Sequence, residues 1–432
     1  MSSDIARTID VIWRMESAKV IAVAARIVRD VGLAEDVAQD ALVAALEQWP
    51  RAGIPANPGA WLTTAAKRRA VDVVRHRAMA SRKHDQIRHE AGPAEPATAS
   101  PDEAAGDDVG DDLLPLIFTA CHPVLATDAR IALTLRLLGG LTTAEIARAF
   151  LAAEPTIAQR IVRAKRTLTN AGVPFEVPDG AERAARLSSV LDVLYLIFNE
   201  GYAATAGDDW MRPALCEDAM RLGRVLAGLM PDEAEVHGLV ALMELHASRL
   251  RARAGADGAP VLLADQNRAA WDRLLIQRGL AGLARAERLS GDAPGPYTLQ
   301  AAIAACHARA VTADATDWPR IVGLYTALVR ATGSPVVELN RAVAVGMAFG
   351  PEAGLEAMDA LTDELALADY AYLPAARGEM LERLGRGDEA AAEFRRAAEL
   401  TRNARERALL QARAASSLRA ASGDARSDSL ER

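Results

Sequence analysis

The chain has 432 residues, half of them hydrophobic and only 4% aromatic, with 25% charged and a formal net charge of −8. That length suits roughly three domains, and the apolar half excludes bulk disorder. Abundant Ala, Leu, Arg and Glu beside short β-branched runs predict an all-α protein. An evenly spread surplus of negative charge would exclude nucleic acid as a partner, but the cations are concentrated in two N-terminal blocks, so that class stays open.

The first block, residues 8–80, reads as consecutive helices. One is predicted over about residues 9–29, breaking near Asp30, Val31 and Gly32. A second runs from Ala34 to Trp49 and stops at Pro50, which lacks the amide that a helix interior needs. Asn57 then offers a capping side chain and Pro58 a first helical residue, starting a long helix through about Arg77. On the second helix Asp36, Gln39, Asp40 and Glu47 share a polar face, with Glu35 beside them; taken alone this is an ordinary solvated acidic face. On the third, Leu62, Ala66, Ala70, Val73 and Val74 line the buried side, which leaves Lys67, Arg68, Arg69 and Arg75 to meet phosphate. Trp61 reads as a core aromatic, with stacking on an exposed base as the alternative. Eight Lys and Arg stand between Trp61 and Arg88 against Asp72 and Asp85.

Between Glu90 and Asp112 there are eight carboxylates and no Lys or Arg, interleaved with Pro, Gly, Ala and Ser. Such a stretch buries too little to offset its ordering entropy, so residues 81–112 are predicted to be a flexible acidic linker after a first domain of residues 1–80.

Residues 113–173 form the second cationic block, with seven Lys and Arg between Arg130 and Asn170 against Glu145 and Glu154. Here Thr142 precedes Glu145 by three residues and Thr156 precedes Gln159 by three, two capping boxes that open two short helices around a turn containing Pro155. On the second of these, Ile157, Ile161, Ala164 and Leu168 fall on one face. Gln159, Arg163 and Arg166 fall opposite, flanked by Arg160 and Lys165. An apolar back and a cationic, hydrogen-bonding front suit a helix-turn-helix laid in the major groove, with Thr156 and Gln159 near base edges and the later cations near phosphate. The plain alternative is an amphipathic hairpin with a solvated basic face.

From residue 174 to 432 amphipathic segments follow one another, at 181–206, 213–229, 232–253, 262–289, 298–311, 319–332 and 335–349. The stretches from Gly350 and Gly387 superpose at an offset of 37, near the roughly 34-residue tetratricopeptide period. Leu381, Leu384, Gly385, Glu389, Ala390, Phe394 and Ala397 fit that pattern, small residues letting paired helices approach and large ones filling the groove.

Cys121, Cys216 and Cys306 are far apart and read as buried core thiols of a reducing compartment; Cys121–His122 and Cys306–His307 are adjacent pairs whose side chains diverge on a helix, unsuited to zinc. No signal-type start and no run of about 18 apolar residues is present, which predicts a soluble cytoplasmic protein with no membrane partner.

Together the first two blocks resemble the extracytoplasmic-function (ECF) group of bacterial RNA polymerase sigma factors. Residues 33–50 are similar to the polymerase-binding helix of sigma domain two, residues 57–75 to the helix that engages the minus-ten element, and the helix-turn-helix to sigma domain four, which reads the minus-thirty-five element. The remaining chain resembles a subgroup with a C-terminal tetratricopeptide-like (TPR) extension, of which residues 194–202 are a hallmark. The resemblance implies a helical bundle, a linker, a helix-turn-helix and a TPR-like helical array in that order. It implies core RNA polymerase and promoter DNA as partners, with a protein partner or control in cis on the array. Glu35, Asp36, Gln39, Asp40 and Glu47 would then face polymerase. Trp61, Lys67, Arg68, Arg69, Asp72, Arg75, Thr156, Gln159, Arg160, Arg163, Lys165 and Arg166 would face DNA, Asp72 and Arg75 near the melted minus-ten bases. The linker would occupy the polymerase's nucleic-acid channel or act as a spacer.

Two other function classes fit less well. A helix-turn-helix regulator with a TPR adaptor, working without polymerase, has no use for the pair of segments 33–50 and 57–75. An enzyme in the C-terminal half lacks its chemistry: His237 and His246 fall on opposite helix faces, Glu200, Asp208 and Asp209 have no His or Cys at catalytic spacing, and no glycine-rich phosphate loop occurs. No catalytic residue, cofactor or metal is therefore expected. Asn199, Glu200, Tyr202 and Trp210 read as a satisfied helix end, or as the array's contact with the sigma core.

Overall fold

A computed structural model describes residues 2–88, 109–204, 211–255 and 259–430. Among them every extended element is helical, apart from one isolated bridge between Ala254 and Pro260. The chain forms two compact units, Met1–Leu196 and Ile197–Arg432.

The N-terminal unit begins with α1 (Ser2–Val28), α2 (Val31–Ala52) and α3 (Pro58–Arg88), which pack against one another. Alanine makes this possible. Ala22, Ala24 and Ala25 of α1, Ala34, Ala38, Ala41 and Ala45 of α2, and Ala66 and Ala70 of α3 are all buried, so the helix axes approach closely with Leu62 and Trp49 filling the ends. Trp61 is half-buried and meets Trp49 edge to face at 5.4 Å between centroids. Of the two valines expected inside, Val74 is 41% exposed and Val73 is half-buried. Pro50 does not stop α2; it sits in the last turn, and Gly53 at φ 86° closes the helix.

The second group is α4 (Val109–Ala120), α5 (Thr127–Leu137), α6 (Thr143–Ala149) and α7 (Glu154–Asn170). Of the expected linker, residues 89–108 lie outside the described residues. Its end does not behave as a linker: Asp112 belongs to α4, is buried, and pairs with Arg26 of α1 at 3.4 Å.

Next comes α8 (Gly180–Tyr202), which the sequence assigns to the C-terminal region from residue 174. Its first half packs in the N-terminal unit. Buried Arg186 donates to the Phe118 carbonyl at 3.1 Å, Ser189 donates to the Cys121 carbonyl at 2.7 Å, and Arg130 of α5 donates to Ser189. These carbonyls lie at the frayed end of α4, where no helix amide reaches them, so α8 supplies the donors.

The C-terminal unit continues with α9 (Pro213–Leu229), α10 (Ala234–Ala247), α11 (Arg273–Ser290), α12 (Pro296–Arg309), α13 (Trp318–Thr332), α14 (Pro335–Phe349), α15 (Pro351–Asp359), α16 (Tyr372–Arg383), α17 (Gly387–Leu400) and α18 (Ala404–Leu430). Helix α10 is apolar on almost every side and lies among α9, α11 and α12. Its buried Glu244 is held by Arg224 at 2.8 Å and Arg278 at 3.3 Å. The expected helix over 262–289 is shorter: α11 starts only at Arg273, where Asp272 accepts from the amides of Leu274 and Leu275, and single 3-10 turns precede it. The hairpins α14–α15 and α16–α17 form where the sequence repeat lies. Phe394 packs so closely on Gly378 that a Cβ there would meet its ring at 2.8 Å. Leu381, Ala390 and Ala397 are buried around it, and the intervening turn uses Gly385 at φ 72°.

The end of α1 is held by Arg29 at φ 52°, a left-handed conformation that costs a residue with a Cβ about 1 kcal/mol. Its amide reaches the Ala25 carbonyl at 2.8 Å as in a glycine-closed helix, and its side chain is exposed. Arg29→Gly is expected to raise the thermal midpoint of the N-terminal unit by about 2–4 °C, read by calorimetry.

Candidate nucleic-acid interface

Helix α6 opens with the capping box the sequence predicts. Thr142 Oγ1 accepts from the Glu145 amide at 3.2 Å, and Glu145 accepts from the Thr142 amide at 2.8 Å. The second box does not form. Helix α7 begins two residues earlier, at Glu154, with Ala153 as its cap and Pro155 inside its first turn, so Thr156 is already helical. Proline's fixed φ suits the first helical turn, and this starts the helix before Thr156 can cap it.

The faces of α7 fall as expected. Ile157, Ile161, Ala164 and Leu168 are buried, while Thr156, Gln159, Arg163 and Arg166 are exposed. Thr156, Gln159, Arg160 and Arg163 border a groove of about 340 Å³, whose other wall is the start of α5. Arg160 leans across it to Asp128 at 3.4 Å. The described residues thus offer a cationic, hydrogen-bonding helix front free of apolar cover, the form a major-groove reader needs.

Lys165 departs from that front. It turns to the first helical group and pairs with Glu35 of α2 at 2.5 Å, while Arg136 of α5 grips the other carboxylate oxygen at 2.6 Å. Glu35 is only 4% exposed, so it does not share the open face of Asp36 and Glu47. Its neighbour Gln39 donates to it at 2.9 Å. Burial pushes the Glu35 carboxyl up, but Lys165 and Arg136 together outweigh burial and hold it below the ordinary carboxylate value. The same seam continues at both ends. Thr169 of α7 donates to Asp30, the cap of α2, at 2.9 Å. Arg14 of α1 reaches Glu145 at 2.5 Å; burial raises that carboxyl, and the Thr142 amide and Arg14 bring it below its usual value. Gly140, at φ 71°, passes so near α1 that a Cβ there would lie 3.1 Å from Ser17 Oγ.

The α2 stripe is otherwise open. Asp36 and Glu47 are exposed, Asp40 is exposed but tied to Arg69 at 2.9 Å, and Val43 and Leu46 project outward between them at 51% and 44% exposure. Reading the acidic positions alone misses these two apolar residues, although Val43 lies one helical turn from both Asp40 and Glu47. On α3, Arg68, Asp72 and Arg75 are exposed and Lys67 is half-buried. Arg136 and Arg14 escape a reading of the sequence as well, because their partners lie far away along the chain.

Comparison with known proteins fits these positions. Residues 12–79 match the model of Sigma-70 region 2, and residues 116–168 match that of Sigma-70 region 4. The ECF RNA polymerase sigma factor SigK of Mycobacterium tuberculosis is 32% identical over 149 residues, 34% of this chain and 75% of SigK. The chain belongs to the ECF sigma factor family. SigK of Mycobacterium bovis aligns over the same extent. An uncharacterized protein of Rhizobium meliloti is 44% identical over 394 residues, 89% of this chain and 90% of that protein, so the sigma factor's C-terminal unit is shared as well. Residues 186–287 match a family of unknown function, DUF6596. No solved structure matches the chain.

Elsewhere in the sigma factor the singled-out residues have ordinary roles. Cys121 lies against Thr134, and burial raises its thiol to about 11; burial likewise raises Cys216 to about 12. Glu200 pairs with Arg212 inside the C-terminal unit. Asp208, Asp209 and Trp210 lie outside the described residues, among which no cluster of three metal-ligating side chains occurs and no helix is long and apolar enough to cross a membrane.

Because Glu35 is held below its normal pKa, its contribution is complete above about pH 4.3 and is lost as pH falls through the lowered value. Glu35→Gln at neutral pH removes the charge while keeping the shape. Leaving two cations unpaired at a site that is only partly solvated is expected to cost roughly 2–3 kcal/mol, below the fully buried range. Faster amide exchange across α7 and the start of α2 would show this; unchanged protection would mean the pair is idle.

Proposed function

We propose that the sigma factor recruits core RNA polymerase through the open stripe of α2 and reads promoter DNA through the fronts of α3 and α7. The observation that carries the reading is the exposed α7 front over a buried apolar back, together with an exposed acidic and apolar stripe on α2. Opening a promoter costs a few kcal/mol per extruded base, which binding alone can supply, so the chain needs no covalent chemistry. Asp36, Val43 and Glu47 face polymerase, with Asp40 joining when Arg69 releases it. Gln159, Arg163 and Arg166 meet the minus-thirty-five element, and Arg68, Asp72 and Arg75 the minus-ten strand. Lys165 and Glu35 are available only when their seam parts, so phosphate competes with Glu35 for Lys165. The linker spans between the two DNA-binding groups. The helical hairpins of the C-terminal unit act as a TPR-like array that modulates activity in cis or through a protein partner, in a cytoplasmic setting.

The polymerase-independent regulator differs in one measurable respect. In a pull-down with purified core enzyme, full-length protein is expected to be retained, and Asp36→Arg with Glu47→Arg to reduce retention at least tenfold while leaving the melting temperature unchanged. Undiminished retention would remove α2 from the interface; no retention of the parent would favour the regulator. On duplex DNA, Arg163→Ala and Arg166→Ala are each expected to lower the slope of log affinity against log salt by about 0.9 for every phosphate no longer neutralised. A slope equal to the parent's would place those arginines off the backbone.

A further inference from the structure

Within the C-terminal unit the last turn of α8 is clasped by the end of α10 and the turn that follows it. Tyr202 stacks on Phe198 at 5.7 Å between centroids and meets the His246 ring edge-on at 5.1 Å. The guanidinium carbons of Arg253 and Arg249 lie 3.6 Å and 5.6 Å from the centre of the same tyrosine ring, and Arg253 also donates to the Tyr202 carbonyl. His246, Arg249 and Arg253, three side chains of one short segment, thus hold one aromatic residue.

The clasp depends on the protonation state of His246. Arg249 Nη2 lies 3.0 Å from His246 Nδ1. A guanidinium has only donors, so Nδ1 must present its lone pair, and the ring is the neutral tautomer with its proton on Nε2. An added proton would set donor against donor at hydrogen-bond distance. His307 of α12 feels the charge of the same arginine. Its ring meets Trp318 edge-on at 5.2 Å, and its buried Nδ1 has no hydrogen-bond partner, so a proton there would find no acceptor.

Among the described residues, the charges that bear on His246 are Arg249, Arg253 and, once it is charged, His307; those that bear on His307 are Arg249 and Arg268. Arg268 is spent on the carbonyls of His307 and Ala310 at the end of α12. The carboxylates of the neighbouring elements are engaged elsewhere: Glu244 with Arg224 and Arg278, Asp272 and Asp317 with the amides that open α11 and α13, and Glu406 with Thr401. Asp369 and Glu399 line the hollow beside Tyr202 and bear on neither histidine. Burial first, then the cations, hold His246 well below its ordinary pKa and bring His307 down to about 4. Both folded values lie below the ordinary histidine value of about 6.5, so the stabilisation is complete above that pH and is lost as pH falls toward them.

We propose that this cluster is an acid-responsive lock: protonation of His246 turns Arg249 away, the clasp on Tyr202 opens, and the last turn of α8 is released from the end of α10. His307 takes up a proton in the opened form as well, so two protons drive the transition. At about pH 5.5, each histidine that is charged only in the opened form multiplies the population of that form about tenfold, and the pair about a hundredfold. Helix α8 begins in one unit and ends in the other, so the lock acts on the element they share. It stands whether or not the N-terminal unit engages polymerase.

The test is amide hydrogen exchange of the full-length protein at about pH 7.5 and about pH 5.5, with rates corrected for the intrinsic pH dependence of exchange. Peptides covering residues 198–204 and 246–253 are expected to lose protection about a hundredfold at the lower pH, relative to peptides of α17. His246→Gln keeps an acceptor toward Arg249 at every pH. It is expected to match the parent at the higher pH and to lose about tenfold less at the lower. If that variant fails to fold, proton NMR of the parent still decides: at least two of its seven histidines are expected to remain neutral at about pH 5.5. Equal loss of protection in all three regions, the same loss in His246→Gln as in the parent, or seven charged histidines at about pH 5.5 would each overturn the proposal.

Discussion

Everything in the N-terminal unit turns on one carboxylate. Glu35 is almost wholly buried between two helical groups that are separated in sequence by the acidic stretch, and a charge so placed is tolerable only with its counter-ions in contact. Lys165 and Arg136 meet that need from α7 and α5. The seam therefore has a defined register: Asp30 with Thr169 on one side and Arg14 with Glu145 on the other fall into place around it. Ion pairs of this kind are specific in geometry but open to competition by other anions, nucleic acid among them.

That placement joins α7 to α2, the helices that carry the two proposed binding surfaces, through one pair of residues. Lys165 sits on the flank of α7, whose front is proposed to meet DNA, and Glu35 beside the α2 stripe proposed to meet polymerase. Neither the α7 front nor the α2 stripe is itself covered, since Arg163, Arg166, Asp36 and Glu47 are all exposed. The seam withholds only the edges of each surface, which suits a contact that sets the resting geometry without blocking first encounter.

Much of this is legible in the sequence because it is local. The buried quartet of α7 appears as a 3.6-residue period within twelve residues, and the Thr142 box needs only a neighbour three positions away. The Thr156 box fails for an equally local reason: Glu154 and Pro155 start the helix sooner, and proline at the first turn outcompetes a capping threonine. What the sequence does not display is partnership at a distance. Glu35 looks like one more member of an acidic face until Arg136, 101 residues on, and Lys165 are brought to it. Likewise, the expected helix over 262–289 dissolves at its start because Asn267 and Asp272 each bond the amides just after them.

Helix α8 runs without interruption from Gly180 to Tyr202, yet the division between the units falls inside it, after Leu196. The gene therefore offers no clean cut at the end of the sigma-like homology. A fragment ending near residue 172 would strip Arg186 and Ser189 from the carbonyls of Phe118 and Cys121. Dissections of this protein should carry the first four turns of α8 with the segments that match regions 2 and 4, or the loss of these bonds will pass for the loss of the C-terminal unit itself.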